Sequence, residues 1–286
     1  MKLVVVGAGS IGSRHIRNLL ALGVREIIAC DPNPSEIVDS VGYREDWRGA
    51  LPADAALICT SPGSHVRIAT ECALAGCHLF IEKPLSNSTM GVAALRKATE
   101  GLVVQMGFNL RFHSGLTALR RRIQSGELGS VLHLSIMGGS YLPDWRLGDY
   151  REGYSASADE GGVVLDCCSH AFDLAGWLLG KELVLMESRP GHSGLLDVGG
   201  EDIVDVVLRA GQTRVAVHEN YLTRQSFFSV TATGTEAIGG WAYDGDEEMY
   251  RRELAAFLSA VEIGRTRGPT LEEGIVNLRL CLEAKG

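Results

Sequence analysis

Residues Leu3 to Val6 form a short, unbroken apolar run rich in valine, the pattern of a strand buried on both faces of a parallel sheet. A glycine-rich turn follows. Ile11, Ile16, Leu19 and Leu20 then recur at helical spacing as far as Gly23, a residue suited to ending a helix. The alternation continues with strands at 26–30 and 55–60, a turn at 61–64, and a helix over about 65–75 closed by Gly76. After a strand at 78–82 and the Lys83-Pro84 turn come a helix over about 89–99 and a strand at 102–107. Such alternation predicts a doubly wound parallel sheet over residues 1–110.

From about residue 110 the period changes. A helix at 114–125 precedes longer strand candidates at 131–137, 183–188, 203–208, 213–221 and 227–233, separated by glycine-rich turns. Between them lie a polar segment, 138–160, and a helical stretch, 162–179; helices near 247–263 and 271–284 end the chain. This pattern predicts an α+β domain over 111–286 built on an open, mostly antiparallel sheet. A chain of 286 residues with 45% hydrophobic content is long enough for two such domains.

The turn after the first strand reads Gly7-Ala8-Gly9-Ser10-Ile11-Gly12, a GxGxxG pattern between a buried strand and a helix. Its glycines allow a tight turn, close approach of backbone to a pyrophosphate, and close packing of helix on strand, while the helix N-terminus favours the phosphate charge. The first domain is therefore expected to be a Rossmann dinucleotide-binding domain. Asp31 ends the second strand, 31 − 12 = 19 residues after the last glycine, where a carboxylate suits the ribose hydroxyls of NAD and opposes the extra phosphate of NADP. The same side chain also suits the start of the Asp31-Pro32-Asn33-Pro34 turn.

Two further clusters carry candidate chemistry. Glu82-Lys83-Pro84 follows a sheet strand, at the edge where open α/β sheets bind ligands. Asp166 and His170 stand at i and i+4, which places them on one face of a predicted helix, and histidine titrates near neutrality as a general base should. A solvated lysine and a helix-surface ion pair are the plain alternatives. Cys167 and Cys168 are expected to pack rather than react.

Charge and cysteine content narrow the partners. The net charge of −8 carries no basic stripe of the kind nucleic acid needs, and Arg120, Arg121 and Arg122 read as a solvated helix face. Seven cysteines with no CxxC pair suggest neither a disulfide framework nor a zinc site, so the expectation is a reducing compartment and catalysis without metal. The opening apolar run breaks at Gly7 and no stretch approaches a membrane span; a cytoplasmic protein is expected.

The order Gly7-x-Gly9-x-x-Gly12, Cys59-Thr60-Ser61-Pro62 with His65, Glu82-Lys83-Pro84, then Gly161-Gly162 ahead of Asp166-x-x-x-His170 resembles the Gfo/Idh/MocA oxidoreductases over nearly the whole chain. The resemblance implies hydride exchange between NAD and a hydroxyl of a sugar, cyclitol or related compound. It implies a catalytic set of Lys83, Asp166 and His170, with Thr60, Pro62, His65 and Glu82 near the cofactor beside Gly7, Gly9, Ser10, Ile11, Gly12 and Asp31. Arg111, Trp145 and Tyr154 are candidate substrate contacts, the last two within the polar segment that also holds Tyr141, Asp149, Tyr150 and Arg151. A homodimer or homotetramer through the second sheet is implied as well. Two departures stand out: between Asp31 and Ala55 the second helix and third strand are abbreviated, and no glycine separates Asp166 from His170. A cofactor-binding sensor without catalysis, and an NAD-retaining hydrolase or epimerase, are the competing functions; retention of Lys83 and His170 argues against the sensor.

Overall fold

A computed structural model of the chain describes residues 1–34, 38–145 and 148–286. Residues 35–37, in the abbreviated stretch, and 146–147, in the polar segment, lie outside the described residues. The chain divides into two compact units, Met1–Asn109 with Glu247–Ile275, and Leu110–Asp246 with Val276–Gly286.

The first unit is built on a six-stranded parallel sheet made of β1 (Lys2–Val6), β2 (Glu26–Cys30), β3 (Gly42–Arg44), β4 (Ala55–Ile58), β5 (His78–Glu82) and β6 (Val104–Gly107), in the order β3-β2-β1-β4-β5-β6. Helices α1 (Ser10–Ala21), α2 (Pro62–Leu74) and α3 (Val92–Ala98) connect its strands. The strand order reverses between β1 and β4, so the loops after these two strands diverge and leave the crevice where such sheets hold ligands. Between β2 and β4 the described residues form only the three residues of β3 and a 3-10 turn at Trp47–Ala50, as the shortness of that stretch implied.

The second unit contains α4 (Ser114–Gln124), β7 (Val131–Tyr141), α5 (Ser169–Leu179), β8 (Val184–Gly191), β9 (Ile203–Ala210), β10 (Thr213–Asn220), β11 (Leu222–Gly234) and β12 (Ile238–Ala242). Its sheet runs β12-β11-β7-β10-β9-β8, with only the β7–β10 pair parallel. Strict alternation buries Leu134, Ile136, Val204, Val206, Leu208, Val215, Val217 and Val230 on one face, on which α5 packs against β7. Residues 138–141 of the polar segment continue β7, and its other described residues include short 3-10 turns at Leu142–Asp144, Tyr150–Glu152 and Tyr154–Ala156.

One assignment of chain to unit differs from the reading of the sequence, which gives all of 111–286 to the second domain. Helix α6 (Glu248–Ile263) instead buries Leu254, Phe257 and Ala260 in one cluster with Leu3, Val5, Ile16, Leu19 and Phe80. Phe80 and Phe257 meet edge to face at 5.7 Å. An amphipathic stripe states that a helix packs, not which sheet it packs on. The last helix, α7 (Leu271–Lys285), begins in the first unit and ends in the second.

Candidate active site

The glycine turn sits at the end of β1. Gly7 has φ +94°, and a Cβ there would lie 2.6 Å from the Cys59 carbonyl oxygen, so the loops after β1 and β4 touch through glycine backbone. A Cβ on Gly12 would stand 1.9 Å from the Gly7 carbonyl oxygen, which fixes why α1 can begin so close to the strand. Around Gly9 the corresponding direction is open, with nothing within 4 Å. No side chain caps the N-terminus of α1. Close packing at Gly7 and Gly12, open space at Gly9 and an uncapped helix start fit a dinucleotide pyrophosphate. Ser10 and Ile11 form the first turn of α1.

Asp31 starts the turn that the sequence offers as its second task, and it also braces the glycine turn. Its Oδ2 accepts the Ala8 amide at 2.7 Å, inside the glycine turn, and its Oδ1 accepts the Asn33 amide at 2.8 Å to start the following turn. Thr60 and Pro62 lie at the β4–α2 turn, with Pro62 buried as the first residue of α2, a position proline favours. His65 is 1% exposed and faces two backbone oxygens, Pro84 through Nδ1 at 3.0 Å and Thr60 through Nε2 at 2.8 Å. It has no face to offer a ligand; it joins the turns at the ends of β4 and β5. Burial lowers its pKa, the two carbonyl contacts opposing that shift.

Glu82 is also buried and engaged. Its Oε1 lies 2.6 Å from Nε2 of His15, and its Oε2 accepts the Lys83 amide at 3.1 Å. Lys83 is half-buried and follows β5 directly, at the edge of the sheet the sequence predicts.

In the second unit, Asp166 lies in a π-helical stretch, Val164–Cys168, that runs into α5, where His170 is the second residue. The sequence predicts a regular α-helix here; the wider turn is the difference, and such turns recur at functional sites. Asp166 is 3% exposed and collects hydroxyls: Ser155 at 2.7 Å and Tyr221 at 3.5 Å on Oδ2, Tyr154 at 3.1 Å on Oδ1. Burial first, and Asp166 second, push the Tyr221 hydroxyl well above its usual pKa, so it stays protonated and donates. Trp145 meets Tyr221 edge to face at 5.2 Å and donates its indole N–H to Ser140 at 3.0 Å. Trp145, Tyr154 and Asp166 thus belong to one neighbourhood. Cys168 is buried, which pushes its thiol well above the usual range, so it packs.

Arg111 is paired within the protein. Its Nε and Nη2 grip the two oxygens of buried Asp173 at 2.9 and 2.6 Å, a bidentate pair that ties the turn before α4 to α5. The sequence offers this arginine as a substrate contact; the structure gives its fork a partner inside the protein. His15, Ser155 and Tyr221 are the residues that sequence reasoning passed over. His15, on the buried stripe of α1, was the only one with a local signal.

A glycine turn fitted to a pyrophosphate, on a parallel sheet that reverses beside it, defines a dinucleotide-binding protein in class. Residues 1–108 match the oxidoreductase family with an NAD-binding Rossmann fold, GFO/IDH/MocA, and residues 116–238 match the GFO/IDH/MocA C-terminal domain. The chain belongs to that family. It is 28% identical to the myo-inositol 2-dehydrogenase of Thermotoga maritima, with 100% of this chain and 95% of that protein covered. To the inositol 2-dehydrogenase of Rhizobium meliloti it is 26% identical over 97% of this chain and 93% of that one. Among solved structures, scyllo-inositol dehydrogenase from Lactobacillus casei with bound NAD(H) and scyllo-inositol has the same fold, at TM-score 0.86 and 18% identity, covering 99% of this chain and 96% of that one. Among the described residues no helix is long and apolar enough to cross a membrane.

Proposed function

We propose that this protein is a cyclitol dehydrogenase that oxidises a ring secondary alcohol of an inositol to the ketone. The observation that carries the reading is Asp166, buried beneath three hydroxyl donors one helical turn before His170. The names of the relatives supply the substrate class, and the aromatic and hydroxyl side chains of Trp145, Tyr154 and Tyr221 suit a polyol.

When bound, NAD accepts the hydride of the carbinol carbon. His170 would take the hydroxyl proton as general base, and Lys83 would stabilise developing alkoxide charge. The products are ketone, NADH and one proton, so atoms and charge balance. Asp166, held in one orientation by Ser155, Tyr154 and Tyr221, orients the substrate hydroxyls. Gly9, Ser10, Ile11 and Gly12 would hold the pyrophosphate through their backbone, Asp31 would take the ribose hydroxyls and Thr60 would lie near the cofactor; His65, Pro62 and Glu82 hold the surrounding turns.

The test is NADH formation from myo-inositol and scyllo-inositol, with single-turnover rates for Lys83→Met and His170→Ala. Each substitution should slow the hydride step by about 10²–10⁴-fold while NAD affinity changes little. Wild-type rates in both variants would return the two residues to a structural role.

A further inference from the structure

We propose that His15, which belongs neither to the glycine motif nor to the catalytic set, is a positioning residue for Lys83. The inference rests on the reading of Lys83 given under the proposed function. His15 stands on α1, three residues after Gly12, and is wholly buried. Its Nε2 lies 2.6 Å from Glu82 Oε1; a carboxylate oxygen accepts, so Nε2 carries the proton and donates. The other oxygen of the same carboxylate accepts the Lys83 amide at 3.1 Å. One side chain therefore ties the helix that starts at the pyrophosphate turn to the backbone of the lysine.

Glu82 has little room to do otherwise. A Cβ on Gly107 would lie 3.0 Å from its carboxyl carbon, so the carboxylate rests against bare backbone of β6. Packing alone does not explain the imidazole. The ring meets Phe80 edge to face at 5.2 Å, a contact an aliphatic or aromatic side chain would also make, and Nδ1 is buried with no hydrogen-bond partner. Burying that nitrogen is unfavourable. What the histidine adds over a hydrocarbon is the hydrogen bond to Glu82, and Glu82 passes it to Lys83. The helix bearing the pyrophosphate turn and the lysine turn are thereby held in one register, which fixes where the root of the Lys83 side chain stands relative to the glycine turn.

The experiment uses the full chain carrying His15→Leu, His15→Gln or Lys83→Met. Its readouts are NAD affinity by fluorescence, kcat and KM with scyllo-inositol and myo-inositol, and the rate at which acetic anhydride labels Lys83, followed by mass spectrometry. His15→Leu should lower kcat by about 10–100-fold, the scale of a misplaced catalytic group, with KM and NAD affinity nearly unchanged and faster labelling of Lys83. His15→Gln places an amide donor near the Nε2 position and should recover most of that loss. Equal losses in the Leu and Gln variants, or wild-type kcat in His15→Leu beside an inactive Lys83→Met, overturn the proposal. Wild-type turnover in Lys83→Met overturns the reading of Lys83 instead. In that case, or if neither inositol is turned over, the labelling rate decides alone, and an unchanged rate in His15→Leu rejects the positioning role. If His15→Leu does not fold, His15→Asn, whose donor sits at the Nδ1 position, takes its place with the same expectations.

Discussion

Asp31 joins an observed role in loop geometry to a proposed role in cofactor choice. Its two oxygens hold the Ala8 and Asn33 amides, so Asp31→Ser removes a negative charge from the ribose end and an anchor from the glycine turn. NAD binding should weaken by about tenfold, the loss of one charge-assisted hydrogen bond, while NADP loses less and the gap between the cofactors narrows. Isothermal titration with both cofactors measures this; unchanged NAD affinity would mean the anchor is dispensable. His65 gives a pH prediction. Its folded pKa lies below the ordinary 6.5, chiefly through burial, so the unfolded chain takes up the proton first as pH falls. The stability it contributes is complete above about pH 6.5 and is lost progressively below it. The wild-type melting temperature should therefore fall faster than that of His65→Gln between pH 7.5 and 5. A reversed difference would show that the Thr60 and Pro84 carbonyls outweigh burial.

Among the elements, the start of the Asp166 helix is held from three directions. Glu201 accepts the Val164 amide through its side chain at 3.2 Å and the Val163 amide through its backbone at 2.9 Å. Lys285, near the end of α7, donates to the Ala158 and Gly161 carbonyls at 2.8 and 2.6 Å and lies 3.8 Å from Glu201. Gly162 completes the entry with φ +85°, and a Cβ there would stand 2.3 Å from the Glu201 carboxylate. Lys285→Met keeps the length of the side chain but removes its charge and donors, and should cost about 1–3 kcal/mol of stability by urea denaturation. A change below about 0.5 kcal/mol, the size of an ordinary surface substitution, would make the contact incidental. None of this was legible in the sequence, because Glu201 and Lys285 meet the loop across more than a hundred residues or from an irregular segment. What was legible is local: the strand periodicity of β1, β5 and β9, the glycine turn, and the helix over 169–179. The edge strands β3 and β12 escaped because Gly42-Tyr43-Arg44 and Ile238-Gly239-Gly240-Trp241-Ala242 alternate too weakly to signal burial. The π-helical turn escaped because its extra residue leaves the hydrophobic spacing nearly intact.

At the scale of the whole molecule the sequence points to two sheets and to the chemistry of each, yet it cannot say that α6 belongs with the first, since the contacts of Phe257 and Leu254 are fixed by packing alone. It does carry the signature of a further surface. The face of the second sheet opposite α5 presents Val184, Val207, Ala216, Met137, Phe227 and Ile238, residues that share one side by strand register. Val184 and Met137 are 44% exposed, Phe227 39% and Ile238 65%. Six strands at about 4.8 Å and eight residues at about 3.3 Å each give a face of roughly 750 Å², close to the roughly 800 Å² per partner of a standard interface. The same side also carries Arg189, Asp205, Arg209, Arg214 and His218, so its exposed apolar residues are interleaved with charged ones, the mixture of a protein–protein interface. A second copy of the chain is therefore expected to cover it. Light scattering on the wild-type protein should give at least twice the 30.7 kDa of one chain. Met137→Lys with Phe227→Lys should shift the mass toward a single chain, because a charge buried across a sheet-to-sheet interface without a partner is strongly unfavourable. The glycine turn lies in the other unit, so NAD affinity should survive the change; a wild-type monomer would overturn the expectation of a second copy.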